Sequence, residues 1–236
     1  MALDRIPNQA DFAAGAVVNR GSSEVIRQRL YDWQLYPTAG VGQLSFFSLP
    51  QGQGVSTALG AVVGSAKTKW DTNMVAANTL PSGLAFVVET IEVVFFPGRS
   101  NAANTYLPAQ MSQFAAVAAA ALLLQLDDVT TFYNSGLLEF NILAKNYLTE
   151  TVQAFPPKTH LVNRTGVATN SATTAEAAGV VGYLEGRPYI MDPIVTLQPA
   201  VNFSVNLVYP GVVATPSGFN GRVGVILDGY LQRAGQ

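Results

Sequence analysis

Few residues in this chain can make or break bonds, and their spacing argues against it. The one histidine, His160, lies in KTHLVN just after Pro156 and Pro157. A catalytic histidine needs a nucleophile and an orienting carboxylate, and no serine sits in a G-x-S-x-G elbow. A zinc site needs three or four clustered ligands, and none gather around His160 in sequence. Cysteine is absent, which removes disulfides, thiolate catalysis and thiolate metal sites. Asp127 and Asp128 with Asn134 do not match the spacing of a calcium loop. They read instead as the exit turn of an apolar helical run. Glycoside hydrolysis needs two facing carboxylates about 5–9 Å apart. Glu89, Glu92, Glu139 and Glu150 fall on strand-like segments, and nothing in the sequence brings two of them together. No dinucleotide fingerprint or Walker sequence is present; the glycines at 52–54 read as a loop. Asn163 and Asn202 open glycosylation tripeptides, which are common by chance. The expectation is a protein without catalysis, cofactor or metal.

What remains is a set of large aromatic residues. Tyr31, Trp33 and Tyr36 sit in YDWQLYP, and Trp70 stands in a loop ahead of the most apolar strand. Such side chains bury a large apolar body while a polar tip stays bonded. These four are the candidates for an assembly interface; the competing reading for each is packing inside its own subunit.

The composition favours assembly. Only 12% of the 236 residues are charged, where about 25% is usual. Mean hydropathy is +0.24. A monomer normally covers itself with charge, whereas obligate interfaces are apolar and charge-poor. The net charge of −2 gives no field to attract a nucleic-acid backbone. Arg5, Arg20, Arg27 and Arg29 are offset by Asp4, Asp11 and Glu24, so there is no basic arm. MALDRIPNQADF does not read as a secretory signal. The longest apolar run, residues 115–124, is too short to span a membrane.

The elements that must carry these residues are mostly strands. Residues 1–40 read as an N-terminal arm with a short helix at 22–30, capped by Ser22 or Ser23. Residues 43–49 read as a strand, 59–63 as a strand or weak helix, and 71–81 as irregular. The segment 84–96, LAFVVETIEVVFF, is apolar on both faces and reads as a central strand, with Glu89 and Glu92 on opposite faces. Residues 110–128 read as a nearly fully buried helix. Residues 136–155 form one long strand or a pair split near Lys145, and 158–180 read as a loop. Strands follow at 180–184, 194–197, 201–209 and 222–231, with Asp228 and Gly229 marking a bulge in the last. About eight strands joined by long connections favour an all-β sandwich with Greek-key or jelly-roll wiring. One such sandwich over residues 41–236 suits the length; two minimal ones would be tight.

The chain resembles the jelly-roll major capsid proteins of tailless icosahedral, internal-membrane-type bacterial or archaeal viruses. LAFVVETIEVVFF, the helix FAAVAAAALLLQL, TLQPAVNFSVNLVYP and GRVGVILDGYL carry the resemblance, across roughly residues 41–231. It is one of architecture and composition rather than of a short motif. It implies a jelly-roll β-sandwich with an inserted buried helix, located in the virion capsid. The partners implied are copies of the chain in capsomers and other capsid proteins, with peripheral contact with an internal membrane left open. Two other readings stand beside it: a carbohydrate-binding or adhesin-like sandwich, and a glycoside-active enzyme on the same fold.

Overall fold

Side-chain alternation dictates the layers. In the computed structural model, residues 23–99, 119–157, 163–169, 176–182 and 186–234 are described. They hold strands β1 (Ser23–Tyr36), β2 (Gln43–Phe46) and β3 (Leu84–Arg99), helix α1 (Ala119–Ser135), then β4 (Leu137–Ile142) and β5 (Lys145–Thr151). The hairpin strands β6 (Asn163–Thr169) and β7 (Glu176–Gly182) follow. After them come β8 (Tyr189–Leu197), β9 (Phe203–Val208) and β10 (Asn220–Ala234). Two four-stranded antiparallel sheets, ordered β1-β10-β3-β8 and β2-β9-β4-β5, pack as a sandwich, and β6 and β7 pair apart from them.

The core lies between the sheets. Phe86, Val88, Ile91, Val93, Phe95, Val223, Val225 and Leu227 enter it from one side. Phe46, Leu138, Phe140, Phe203, Val205 and Leu207 enter from the other. Each fully buried side chain of this size contributes about 1.5–3 kcal/mol through removal from water. Phe132 on α1 closes one end, stacked on Phe95 at 4.3 Å between ring centroids. Tyr36 and Tyr209 meet Phe132 edge-on or tilted.

Strand β3 is central, as its two apolar faces imply, but its phase changes midway. Thr90 pairs with Asp228 and Val88 with Gly229, so Glu89 is an extra residue on β3. The bulge lies at the Asp228–Gly229 step, though the inserted residue is on the neighbouring strand. It puts Phe86 and Val88 on the same inward face as Ile91, Val93 and Phe95. Gly229 is required there: a Cβ would stand 1.9 Å from the Val87 carbonyl oxygen.

Several expectations are corrected. The short helix at 22–30 is instead part of a 14-residue strand, so residues 23–36 belong to the sheet and not to an arm. A serine cap contributes about 1 kcal/mol, whereas β1 pairs along its whole length with β10 and buries Leu30, Asp32 and Tyr36 inward. Residues 1–22 lie outside the described residues. The expected element at 59–63 is loop, interrupted by Gly60 and Gly64 at φ +77°. The helix runs on to Ser135 through TTFY, poor helix formers held helical by the burial of Phe132. Asp127 and Asp128 are therefore mid-helix and not an exit turn. From Asp127 onward the helix is not buried all round: Asp127, Thr130 and Asn134 are exposed. Residues 163–169 and 176–182, expected as mostly loop, are antiparallel strands paired with each other.

Candidate binding groove and the loop that builds it

Strand β1 is the edge of its sheet, and an exposed edge invites pairing with another chain. The loop of residues 47–80 lies along it. Trp33 N–H donates to the Asp71 carbonyl (2.8 Å) and Asn73 N–H to the Tyr31 carbonyl (3.4 Å). The Asn73 side chain accepts from Tyr31 N–H (3.0 Å) and donates to the Arg29 carbonyl (2.6 Å).

Two buried carboxylates fix the loop's shape. Asp32 points inward from β1 and meets Lys67 Nζ at 2.7 Å, with both side chains at most 1% exposed. Its second oxygen accepts from Phe47 N–H (2.9 Å) and Gln34 Nε2 (3.0 Å). Burial pushes the Asp32 carboxyl above its usual range, and Lys67 with the other donors offsets only part of that. Asp71 ties the loop to itself, accepting from Ser56 Oγ (2.6 Å), Thr57 N–H (2.7 Å) and Thr68 N–H (3.2 Å). Burial alone would raise the Asp71 carboxyl; these hydrogen bonds outweigh it and hold it below the usual value.

Between the loop and the outer faces of β1 and β10 runs a groove of about 860 Å³. Tyr31, Trp33 and Trp70 line it, with Ile226 at its floor. Trp33 lies across Gly224, where a Cβ would come within 2.5 Å of its ring. It stacks on Phe96 (5.6 Å between centroids), and the Arg222 guanidinium sits 4.2 Å from its ring centre. Arg222 also donates to the Trp70 carbonyl (2.9 Å) and the Thr57 hydroxyl (3.1 Å). Arg27 and Arg29 approach the buried carboxylate of Asp228 at 3.2 and 3.7 Å. Lys69, Gln28, Gln51 and Asn73 complete the lining.

Three of the four aromatic candidates are thus brought together. Tyr36 is not with them: one register position flips it inward, where it is 2% exposed. Its hydroxyl donates to the Val213 carbonyl, and burial pushes its phenol up to about 12. As a core residue it is corrected out of the interface set.

The chemical candidates do not converge. His160 lies outside the described residues. Glu89 faces Arg27 (3.3 Å), while Glu139 and Glu150 lie on the other sheet. Asp127 is exposed, but Asp128 is buried and accepts from Ser217 N–H (2.8 Å) and Oγ; the pair shares no site. Asn134 is turned to Thr130 and Gln153. Among the described residues, no group of three or more histidines or carboxylates could hold a metal ion. No helix among them is long and apolar enough to cross a membrane.

Sequence reasoning missed Asp32, Lys67, Asp71, Arg222 and Asp228. The signal was present: in so charge-poor a chain, an aspartate inside an apolar strand such as YDWQLY or VILDGYL has to be buried against a partner. Comparison with protein-family models, curated proteins and solved structures finds no match to this chain.

Proposed function

We propose that this chain is a non-catalytic structural subunit with jelly-roll wiring that assembles with copies of itself into a shell of the viral-capsid kind. The observation that carries the reading is the loop of residues 47–80. It is pinned by buried polar networks, yet it turns Val55, Leu59, Val62, Val63, Trp70 and Val75 toward solvent. Val62 is 76% exposed and Trp70 77%. So many exposed apolar side chains on one ordered segment favour a protein contact over a loose loop. The low charge of the whole chain fits repeated contacts between identical copies.

Strand order supports the jelly-roll part. With the β6–β7 hairpin set aside, the first strand pairs with the last (β1 with β10), the second with the next to last (β2 with β9), then β3 with β8 and β4 with β5. That is the pairing of one long antiparallel ribbon folded over on itself into two Greek keys.

The test is negative-stain imaging and mass photometry of the purified chain across a wide range of concentration. Rings, sheets or closed shells are expected. A monomer that gives no larger species at any concentration or salt overturns the reading.

A further inference from the structure

We infer that the groove between β1 and the 47–80 loop is a binding site for an acidic carbohydrate, a sugar chain carrying a uronic or sialic acid carboxylate. The inference concerns the unassembled subunit, in which Trp70 is open to solvent.

The chemistry of the groove points to an anion with a flat apolar face. Three cations line it, Arg27, Arg29 and Lys69, against one lining carboxylate, Asp228. This concentration of positive charge stands out in a chain whose net charge is −2. Both arginine side chains are about half exposed, at 49% and 48%. Asp228 and Glu89 hold Arg27 in place and Asp228 lies 3.7 Å from Arg29, while half of each side chain stays exposed. Guanidinium groups match a carboxylate through paired, charge-assisted hydrogen bonds.

Trp70 and Tyr31 supply the apolar part, and Trp33, whose ring already meets Phe96 and Arg222, forms a fixed wall beside them. The polarised C–H face of a pyranose ring packs on the negative face of an aromatic ring, and Trp33 and Tyr31 are held in place without a ligand. Trp33 rests against Phe96 and the Arg222 guanidinium, and the Tyr31 hydroxyl donates to the Lys69 carbonyl. Preorganisation of this kind lowers the ordering cost of binding. Gln28 and Gln51 at the rim are exposed amides suited to sugar hydroxyls.

The only two tryptophans of the chain both line this groove, so intrinsic fluorescence reads its occupancy directly. The full-length chain is titrated with trigalacturonate and with 3′-sialyllactose, following tryptophan emission and heat of binding. Maltotriose, lactose, inorganic phosphate and a short polyglutamate peptide serve as comparisons. Saturable binding of at least one acidic sugar is expected, at least about tenfold tighter than its neutral counterpart, since a charge-assisted hydrogen bond accounts for that factor. R29A and W70A, both exposed positions, each weaken it by about tenfold; in W70A, Trp33 remains as the reporter. The inference is overturned if neither acidic sugar binds saturably, if the neutral sugars, phosphate or peptide bind as tightly, or if both variants leave the affinity unchanged.

Discussion

At the scale of single residues, the pair Asp32–Lys67 decides whether the 47–80 loop holds its shape. Both groups are almost fully buried at 2.7 Å. Taking one partner away leaves the other charge buried and uncompensated, which costs about 3–5 kcal/mol. D32N keeps an acceptor for Phe47 N–H but strands Lys67, so it should lower stability by about that amount in a denaturant melt. Adding K67M removes the stranded charge and should recover most of the loss, because an apolar replacement of a buried pair is often neutral. A D32N single variant as stable as the parent would mean the pair does not anchor the loop. Such residues were only half legible in the sequence. Asp32 in an apolar strand calls for a partner, but Lys67 lies 35 positions away in a segment without periodicity. The aromatic triad was legible by type, and what separated Tyr36 from Tyr31 and Trp33 was strand phase. With 22–30 read as a helix, there was no register to place them.

At the scale of elements, the strongest period-two signals came through. Strands β3, β9 and β10 stand where their alternation puts them, because both sides of a central strand must meet a neighbour. Reading failed where tertiary contacts outweigh local preference. The first half of β1, SEVIRQR, is polar and charged and looks like a strand only once β10 is beside it. The β4–β5 turn uses Leu143 at φ 53°, a position where asparagine or glycine is the usual signal. Within β3 the Glu89 bulge left no mark, since either phase of LAFVVETIEVVFF is apolar; its sign was the Asp228–Gly229 step on the strand opposite. Glycines in β10 were the overlooked clue. Gly224 leaves space for the Trp33 ring, and an added Cβ would meet that ring at 2.5 Å. G224A should push Trp33 off its stack, costing about 1–3 kcal/mol as overpacking does. Tryptophan emission should shift to the red. An unchanged emission spectrum and midpoint would show that Trp33 does not lie across β10.

At the scale of the whole molecule, the question is what the exposed apolar loop meets. In a shell held by charge pairs, salt would loosen the contacts within a Debye length of about 10 Å at 0.1 M. Here the presented side chains are valine, leucine and tryptophan, and charged residues are only 12% of the chain. Association should therefore persist on raising sodium chloride and strengthen with sulfate, which favours burial of apolar surface. The double variant V62D/V63D places like charges at two adjacent exposed apolar positions of the loop. Both positions are exposed, so the unfolding free energy should change by no more than about 0.5 kcal/mol, the usual range for surface changes. Assembly, followed by mass photometry at matched concentration, should fall by at least about tenfold for each 1.4 kcal/mol of contact energy lost. A variant that assembles as the parent does would move the contact to another face of the sandwich. Leu143, Tyr147 and Val212 are the next exposed apolar side chains to test there. That result would leave the groove free of the assembly question, because β1, β10 and the anchored loop build it within one subunit.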